Sequence, residues 1–152
     1  LKEGVLVLSK GIGAGGDYFR LWQQGVSEHD AVQMMESAGE AIAALHATGY
    51  SHGDCKWSNL LWSEQECLLV DLDGASRKAL GRKRRQMRDL ARFTISAEEA
   101  GASPALLEKF FSSYEYATGH RREEMVQRMQ PHLGKFRTRH QRKYGITAQP
   151  LV

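Results

Sequence analysis

The chain has 152 residues, 41% of them hydrophobic, which is enough for one domain with a real core. No apolar run approaches the roughly 18 residues of a membrane-spanning helix, and the N-terminal stretch carries no leader pattern. Two cysteines, Cys55 and Cys67, make no disulfide framework and fit a reducing compartment.

Gly4–Leu8 is a short β-rich apolar run. Gly11 to Gly16 then interrupts regular structure. It reads as a connection or flexible linker. The glycine spacing does not make a dinucleotide fingerprint, because no βαβ unit follows. Asp17–Gln24 suits a short helix carrying Phe19, Leu21 and Trp22. Ser27 with Asp30 three residues later marks the start of a second helix. Ala31, Met34, Met35, Ala38, Ala41, Ile42 and Leu45 recur at helical spacing up to Gly49. His46, at the end of this pattern, reads as a packing or hydrogen-bonding residue, since no ligand cluster accompanies it.

Leu60–Trp62 and Cys67–Val70 are two β-runs separated by a polar turn, and they predict a hairpin. Met87, Leu90, Ala91, Thr94 and Ile95 mark the next helix. Ser103-Pro104 is a cap followed by proline at the first helical position, with Leu106, Leu107, Phe110, Phe111 and Tyr114 as the buried face and Gly119 as the stop. A last helix carries Met125, Val126, Met129, Leu133 and Phe136, with a break or kink expected at Pro131.

Charge is segregated along the chain. Residues 77–92 carry a net +7 and residues 135–143 a net +5, so the remainder carries −9 although the total is only +3. Such patches suit an anionic partner, whether membrane surface, phosphorylated substrate or nucleic acid. Two solvated helix faces would look the same.

The most informative stretch is His52-Gly53-Asp54-Cys55-Lys56-Trp57-Ser58-Asn59, followed twelve residues later by Asp71-Leu72-Asp73-Gly74. The hairpin runs between them, so Asp54, Asn59 and Asp71 should surround one cleft. An acid, a lysine, an amide and a second acid are the parts that phosphoryl transfer needs. One carboxylate orients the attacking hydroxyl and takes its proton, a lysine neutralises the transferring group, and an amide oxygen with the second carboxylate holds magnesium against the nucleotide phosphates. Taken singly, Lys56 would pass for a surface lysine and Asp54, Asn59 and Asp71 for turn residues. Cys55 lies in the same loop without a histidine placed to activate it.

This order and spacing resembles the catalytic and metal loops of the protein-kinase-like superfamily. Within it, His52-Gly53-Asp54-x-Lys56-x-x-Asn59, Asp71-Leu72-Asp73 and the basic run into Arg88-Asp89-Leu90-Ala91-Arg92-Phe93 resemble the lipopolysaccharide kinases of the Kdo/WaaP type, although Gly74 stands where many members have arginine. The resemblance implies an α+β, mainly helical fold: a kinase-like C-terminal lobe with a small β-hairpin carrying the two loops. Residues 1–16 would be the last small-lobe strand and the hinge, and 17–152 the helical lobe. The rest of the small lobe, with its Gly-rich loop and strand lysine, would lie outside this chain, which alone would be inactive.

The resemblance further implies ATP and Mg2+ as cofactors, with Asp54 as base and Lys56 at the γ-phosphate. Asn59 and Asp71 would bind the metal, and Ser9 and Gly11 the adenine. His52 would scaffold the loop, Asp73 would assist metal or loop geometry, and Asp89 would tie down the loop backbone. The acceptor would be a sugar hydroxyl (Kdo or heptose) of the lipopolysaccharide core, met at the cytoplasmic face of the inner membrane with the basic patches on the anionic surface. The absence of a long activation segment or an Ala-Pro-Glu sequence suits such an acceptor better than a peptide. No nucleic-acid partner is expected, since no recognisable binding motif occurs. Two rivals remain: another kinase-like enzyme acting on a small molecule or protein (RIO-type), and a non-catalytic kinase-like binding module.

Overall fold

The structure is a computed structural model that describes residues 15–152. It is 64% helical with one three-stranded antiparallel sheet, which makes the fold α+β and mainly helical. The elements are β1 (Gly16–Asp17), α1 (Tyr18–Gln24), α2 (Glu28–Ala47), β2 (Leu60–Ser63), β3 (Glu66–Leu69), α3 (Arg82–Glu99), α4 (Pro104–Thr118) and α5 (Arg122–Tyr144). The Gly4–Leu8 run and the candidate adenine-binding positions Ser9 and Gly11 lie outside the described residues.

Capping chemistry sets the helix starts. Asp17 accepts from the backbone N–H of Arg20, and Ser27 from that of Asp30 at 3.1 Å. Ser103 accepts from Leu106 at 3.2 Å, with Pro104 at the first helical position. Each side-chain oxygen satisfies one of the amides a helix start leaves unpaired, worth about 1 kcal/mol per cap. Gly119, at φ 71, closes α4 as expected.

The hairpin is as the sequence predicts, with Leu60 opposite Leu69 and Trp62 opposite Cys67. A third strand joins it: Gly16 pairs with Trp62 and Asp17 with Leu61. Two residues carry no pattern of their own, so β1 forms because the free edge of β2 supplies the partner groups.

Helices α2 and α4 pack closely along their lengths. A Cβ on Gly39 would lie 2.5 Å from the Phe110 carbonyl, so glycine here is what lets the two backbones approach. Phe110 stacks on Phe93 of α3, with centroids 3.9 Å apart. Phe93 in turn meets Trp57, which Tyr18 and Trp22 of α1 contact edge-on. Trp57, Phe93, Tyr18 and Phe110 are fully buried. Truncating any such aromatic costs about 3–5 kcal/mol. This cluster lies beneath the loop of Asp54 and gives it a rigid floor.

Two expectations need correction. Of the break or kink expected at Pro131, the break does not occur: helix α5 continues from Arg122 to Tyr144. Pro131 and Gln127, whose carbonyl loses its intrahelical partner, are both exposed, so solvent is free to take over the missing bond. Buried Met129 and Leu133 hold the helix against the core on either side. Helix α3 begins at Arg82, five residues before its first apolar marker, Met87. Arg82-Lys83-Arg84-Arg85 therefore forms the first turn of the helix, while Arg77 and Lys78 precede it. Gly81, left-handed at φ 73, reverses the chain there, and Arg85 clamps the turn by donating to the Leu80 carbonyl at 2.8 Å and to that of Lys78.

Candidate active site

The site is built on three segments that the hairpin brings together. Its framework is Asp89, on the buried face of α3. Its Oδ2 accepts from the backbone N–H of His52 at 2.6 Å and from His46 Nε2 at 3.1 Å, and its Oδ1 accepts from the N–H of Gly53 at 2.9 Å. Three donors around one buried carboxylate fix the backbone just before Asp54. His46 is held from its other side by the Tyr114 hydroxyl, 2.8 Å from Nδ1, which links α2, α3 and α4 at this point.

The His52 ring is likewise committed to the scaffold. Its Nε2 donates to the Val70 carbonyl at 3.0 Å, and its Nδ1 accepts from the Asp54 N–H at 3.4 Å. Ser51 and Ser76 exchange backbone bonds of 3.0 Å, joining the start of one loop to the end of the other. Gly53 has φ 94, and a Cβ there would lie 2.5 Å from the Gly74 carbonyl. Any side chain at that position would force the loops apart.

On this frame Asp54, Lys56, Asn59 and Asp71 converge. Lys56 Nζ is 3.1 Å from Asp54 Oδ2. Asn59 Nδ2 donates to the Asp54 backbone carbonyl at 2.9 Å and lies 3.5 Å from Asp54 Oδ2 and 3.4 Å from Asp71 Oδ2. Asn59 is buried within a 3₁₀ turn, Trp57–Asn59, whereas Asp71 is exposed. Asp71 adopts a left-handed conformation, φ 61 and ψ 56. An L-residue held there costs about 1–3 kcal/mol, and such strain concentrates at functional sites. Asp73 is exposed in the 3₁₀ turn Leu72–Gly74.

Arg92 belongs to the same cluster and was missed from sequence. Its Nε donates to Asp54 Oδ1 at 3.2 Å. Its Nη1 is buried without a partner among the described residues. The signal was available: Arg92 lies three residues after Asp89, so both point to one face of α3. Burial acts to raise the Asp54 pKa, but Lys56 and then Arg92 outweigh it and hold the carboxyl below its ordinary 3.8. Asp54 is thus a carboxylate at neutral pH. Burial, reinforced by the charge of Asp89, pushes the Cys55 thiol well up, so no thiolate is offered there.

The chemistry of these groups suits magnesium. The Asn59 amide nitrogen donates to the Asp54 carbonyl and lies near the Asp71 carboxylate; the Asn59 amide oxygen and that carboxylate are the hard oxygen donors here that could hold magnesium. No group of three or more His, Cys, Asp or Glu side chains able to hold a metal occurs among the described residues. Two protein oxygens with phosphate and water completing the shell is how magnesium is usually held in nucleotide sites.

The model of the lipopolysaccharide kinase (Kdo/WaaP) family matches residues 16–114. The chain belongs to that family. The match runs from β1 through most of α4 and takes in every residue of the cluster just described. A second similarity is local: 46 residues are 41% identical to a protein of Methanoculleus marisnigri named a probable bifunctional tRNA threonylcarbamoyladenosine biosynthesis protein. That stretch is 30% of this chain and 9% of the archaeal one, so the chain spans less than a tenth of that relative. In this Kdo/WaaP chain, no helix of the described residues is long and apolar enough to cross a membrane.

Proposed function

We propose that this Kdo/WaaP family chain provides the phosphotransfer centre of an ATP-dependent, magnesium-requiring kinase that phosphorylates a sugar hydroxyl, Kdo or heptose, of the lipopolysaccharide inner core. The observation that carries this reading is the convergence on Asn59, whose amide lies within 3.5 Å of both Asp54 and Asp71. In this reading one carboxylate serves the acceptor hydroxyl and the other the metal.

In this mechanism Asp54 accepts a hydrogen bond from the acceptor hydroxyl and aims its oxygen at the γ-phosphorus. The oxygen–phosphorus bond forms as the bond to ADP breaks, and the hydroxyl proton passes to Asp54. A carboxylate held below its ordinary pKa is a weak base, so orientation is its main work and proton transfer comes late, as a loose phosphoryl transition state allows. Lys56, now paired with Asp54, would swing toward the γ-phosphate, and Arg92 would keep Asp54 in place when it does. Asn59 and Asp71 would hold magnesium, which would supply charge neutralisation at the nucleotide phosphates. Residues 1–16 would contribute the hinge. The anionic acceptor would place the enzyme at the cytoplasmic face of the inner membrane, with exposed cations such as Lys83, Arg142 and Lys143 toward it.

The test supplies the full-length protein with γ-labelled MgATP and two acceptors, a Kdo-terminated lipid A precursor and a heptose-bearing core. Label should appear on a sugar hydroxyl of one glycolipid. Label released only to water, or carried only by protein, would refute the assignment of the acceptor.

A further inference from the structure

A cavity of about 590 Å³ lies between the first turns of α3 and the second half of α5. Arg84 and Arg88 line it from α3; His132, Lys135, Phe136 and Arg139 line it from α5. No acidic residue among the described ones lines it. Arg84, Arg88, Lys135 and Arg139 have no carboxylate within ion-pair distance among the described residues. Four uncompensated cations therefore converge from two helices on one concave space.

The helix start sharpens this. Helix α3 opens with Arg82-Lys83-Arg84-Arg85, has no acid in its first turn and has no side-chain cap. Cations at the positive end of a helix dipole are unfavourable, where an anion would be favourable. The fold thus carries an electrostatic cost at this end that a bound anion would relieve. The potential is felt by His132: burial first, then Arg84, Arg88 and Lys135, hold its pKa below the ordinary 6.5.

The cavity is also joined to the candidate active site. Arg88 and Arg92 both sit over the Phe136 ring, at 5.9 and 5.7 Å from its centroid, and Arg92 holds Asp54. Residues four apart on one helix are separated by roughly 6 Å of rise, so the cavity wall begins one turn from the residue that touches the candidate base. A volume of this size takes a phosphorylated sugar, and its concave shape with cations on both walls suits a discrete phosphate group better than a planar lipid surface.

We infer that the α3–α5 cavity is an anion subsite in which Arg84, Arg88, Lys135 and Arg139 bind a phosphate already present on the acceptor, placing the hydroxyl to be phosphorylated at Asp54. The phosphate chemistry follows from the cavity alone; its attribution to the acceptor rests on the phosphotransferase reading above.

The test uses the full-length protein and the Arg88→Gln, Lys135→Gln, Arg139→Gln triple variant. All three residues are exposed, so the fold should survive, and a thermal melt checks this. Calorimetric titration with inorganic pyrophosphate, in the presence of a non-hydrolysable MgATP analogue that fills the nucleotide cleft, should show affinity at least tenfold weaker in the variant. The His132 imidazole should titrate at higher pH when pyrophosphate is bound to the parent protein and show no such change in the variant. A parallel arm measures binding to phosphatidylglycerol vesicles. Unchanged pyrophosphate affinity in the folded variant would overturn the subsite, as would a variant that loses vesicle binding alone. Absence of MgATP-analogue binding with pyrophosphate affinity still dependent on these cations would refute the phosphotransferase reading and leave the anion site standing.

Discussion

Replacing Asp89 by alanine tests the frame that holds the candidate base. Asp89 is 1% exposed and accepts from two backbone amides and one imidazole nitrogen. Alanine leaves the N–H groups of His52 and Gly53 without an acceptor, and His52 is fully buried. A buried donor stripped of its partner costs about 1–3 kcal/mol, and hydrogen bonds to a charged group are worth about 1.5–3 kcal/mol each. Removing a buried charge recovers part of this, so the net loss should be about 3–6 kcal/mol. In a chain of this size 1 kcal/mol moves the midpoint by roughly 2–4 °C, so the melting temperature should fall on the order of 10–20 °C. Asp89→Asn keeps one acceptor oxygen but turns an amide NH2 toward a donor, so it should fall between the parent and the alanine variant. Thermal melting by circular dichroism, backed by urea titration, provides the readout. An Asp89→Ala protein melting within about 3 °C of the parent would refute the view that this carboxylate holds the loop together.

Three further predictions follow from particular contacts. Gly39→Ala raises helix propensity yet should destabilise by about 1–3 kcal/mol, because the added Cβ meets the Phe110 carbonyl; a stabilised variant in urea titration would contradict the α2–α4 packing. Asp54 is held below 3.8, so its stabilising pairing with Lys56 and Arg92 is intact above that pH and lost only as pH falls through the lower folded value. The acid limb of kcat/KM due to Asp54, which reports the free enzyme, should therefore lie below pH 3.8, and a limb centred near 6 would contradict it. Arg92→Gln should lower kcat with little change in the KM for ATP and move that acid limb upward, a pH signature that a purely structural role would not give.

Much of this site was legible because its chemistry is local. Asp54, Lys56 and Asn59 lie within six residues, and the hairpin that returns the chain to Asp71 announces itself by two β-runs and a polar turn. The caps at Ser27 and Ser103 were readable for the same reason. The misses share a different cause. Strand β1 exists only through its partner β2, so two residues carry no signal. Helix α3 was placed late because its first turn has no apolar residue, only arginines and lysine, which are good helix formers on an exposed surface. Pro131 reads as a break or kink because sequence does not show that the carbonyl it strands is on an exposed face. Arg92 was overlooked because its partner is 38 residues away, and the tertiary crossing of α3 beneath the loop creates the contact.

The phosphotransfer assignment stands or falls most directly on Asp54→Asn in the full-length protein, measured as single-turnover phosphoryl transfer alongside MgATP affinity. The side chain keeps its shape and loses its charge, so nucleotide binding should stay within about twofold while turnover drops by roughly a hundred- to ten-thousandfold, the range typical of losing a general base. Turnover reduced by less than about tenfold, with nucleotide affinity intact, would contradict the placement of the reaction at this residue.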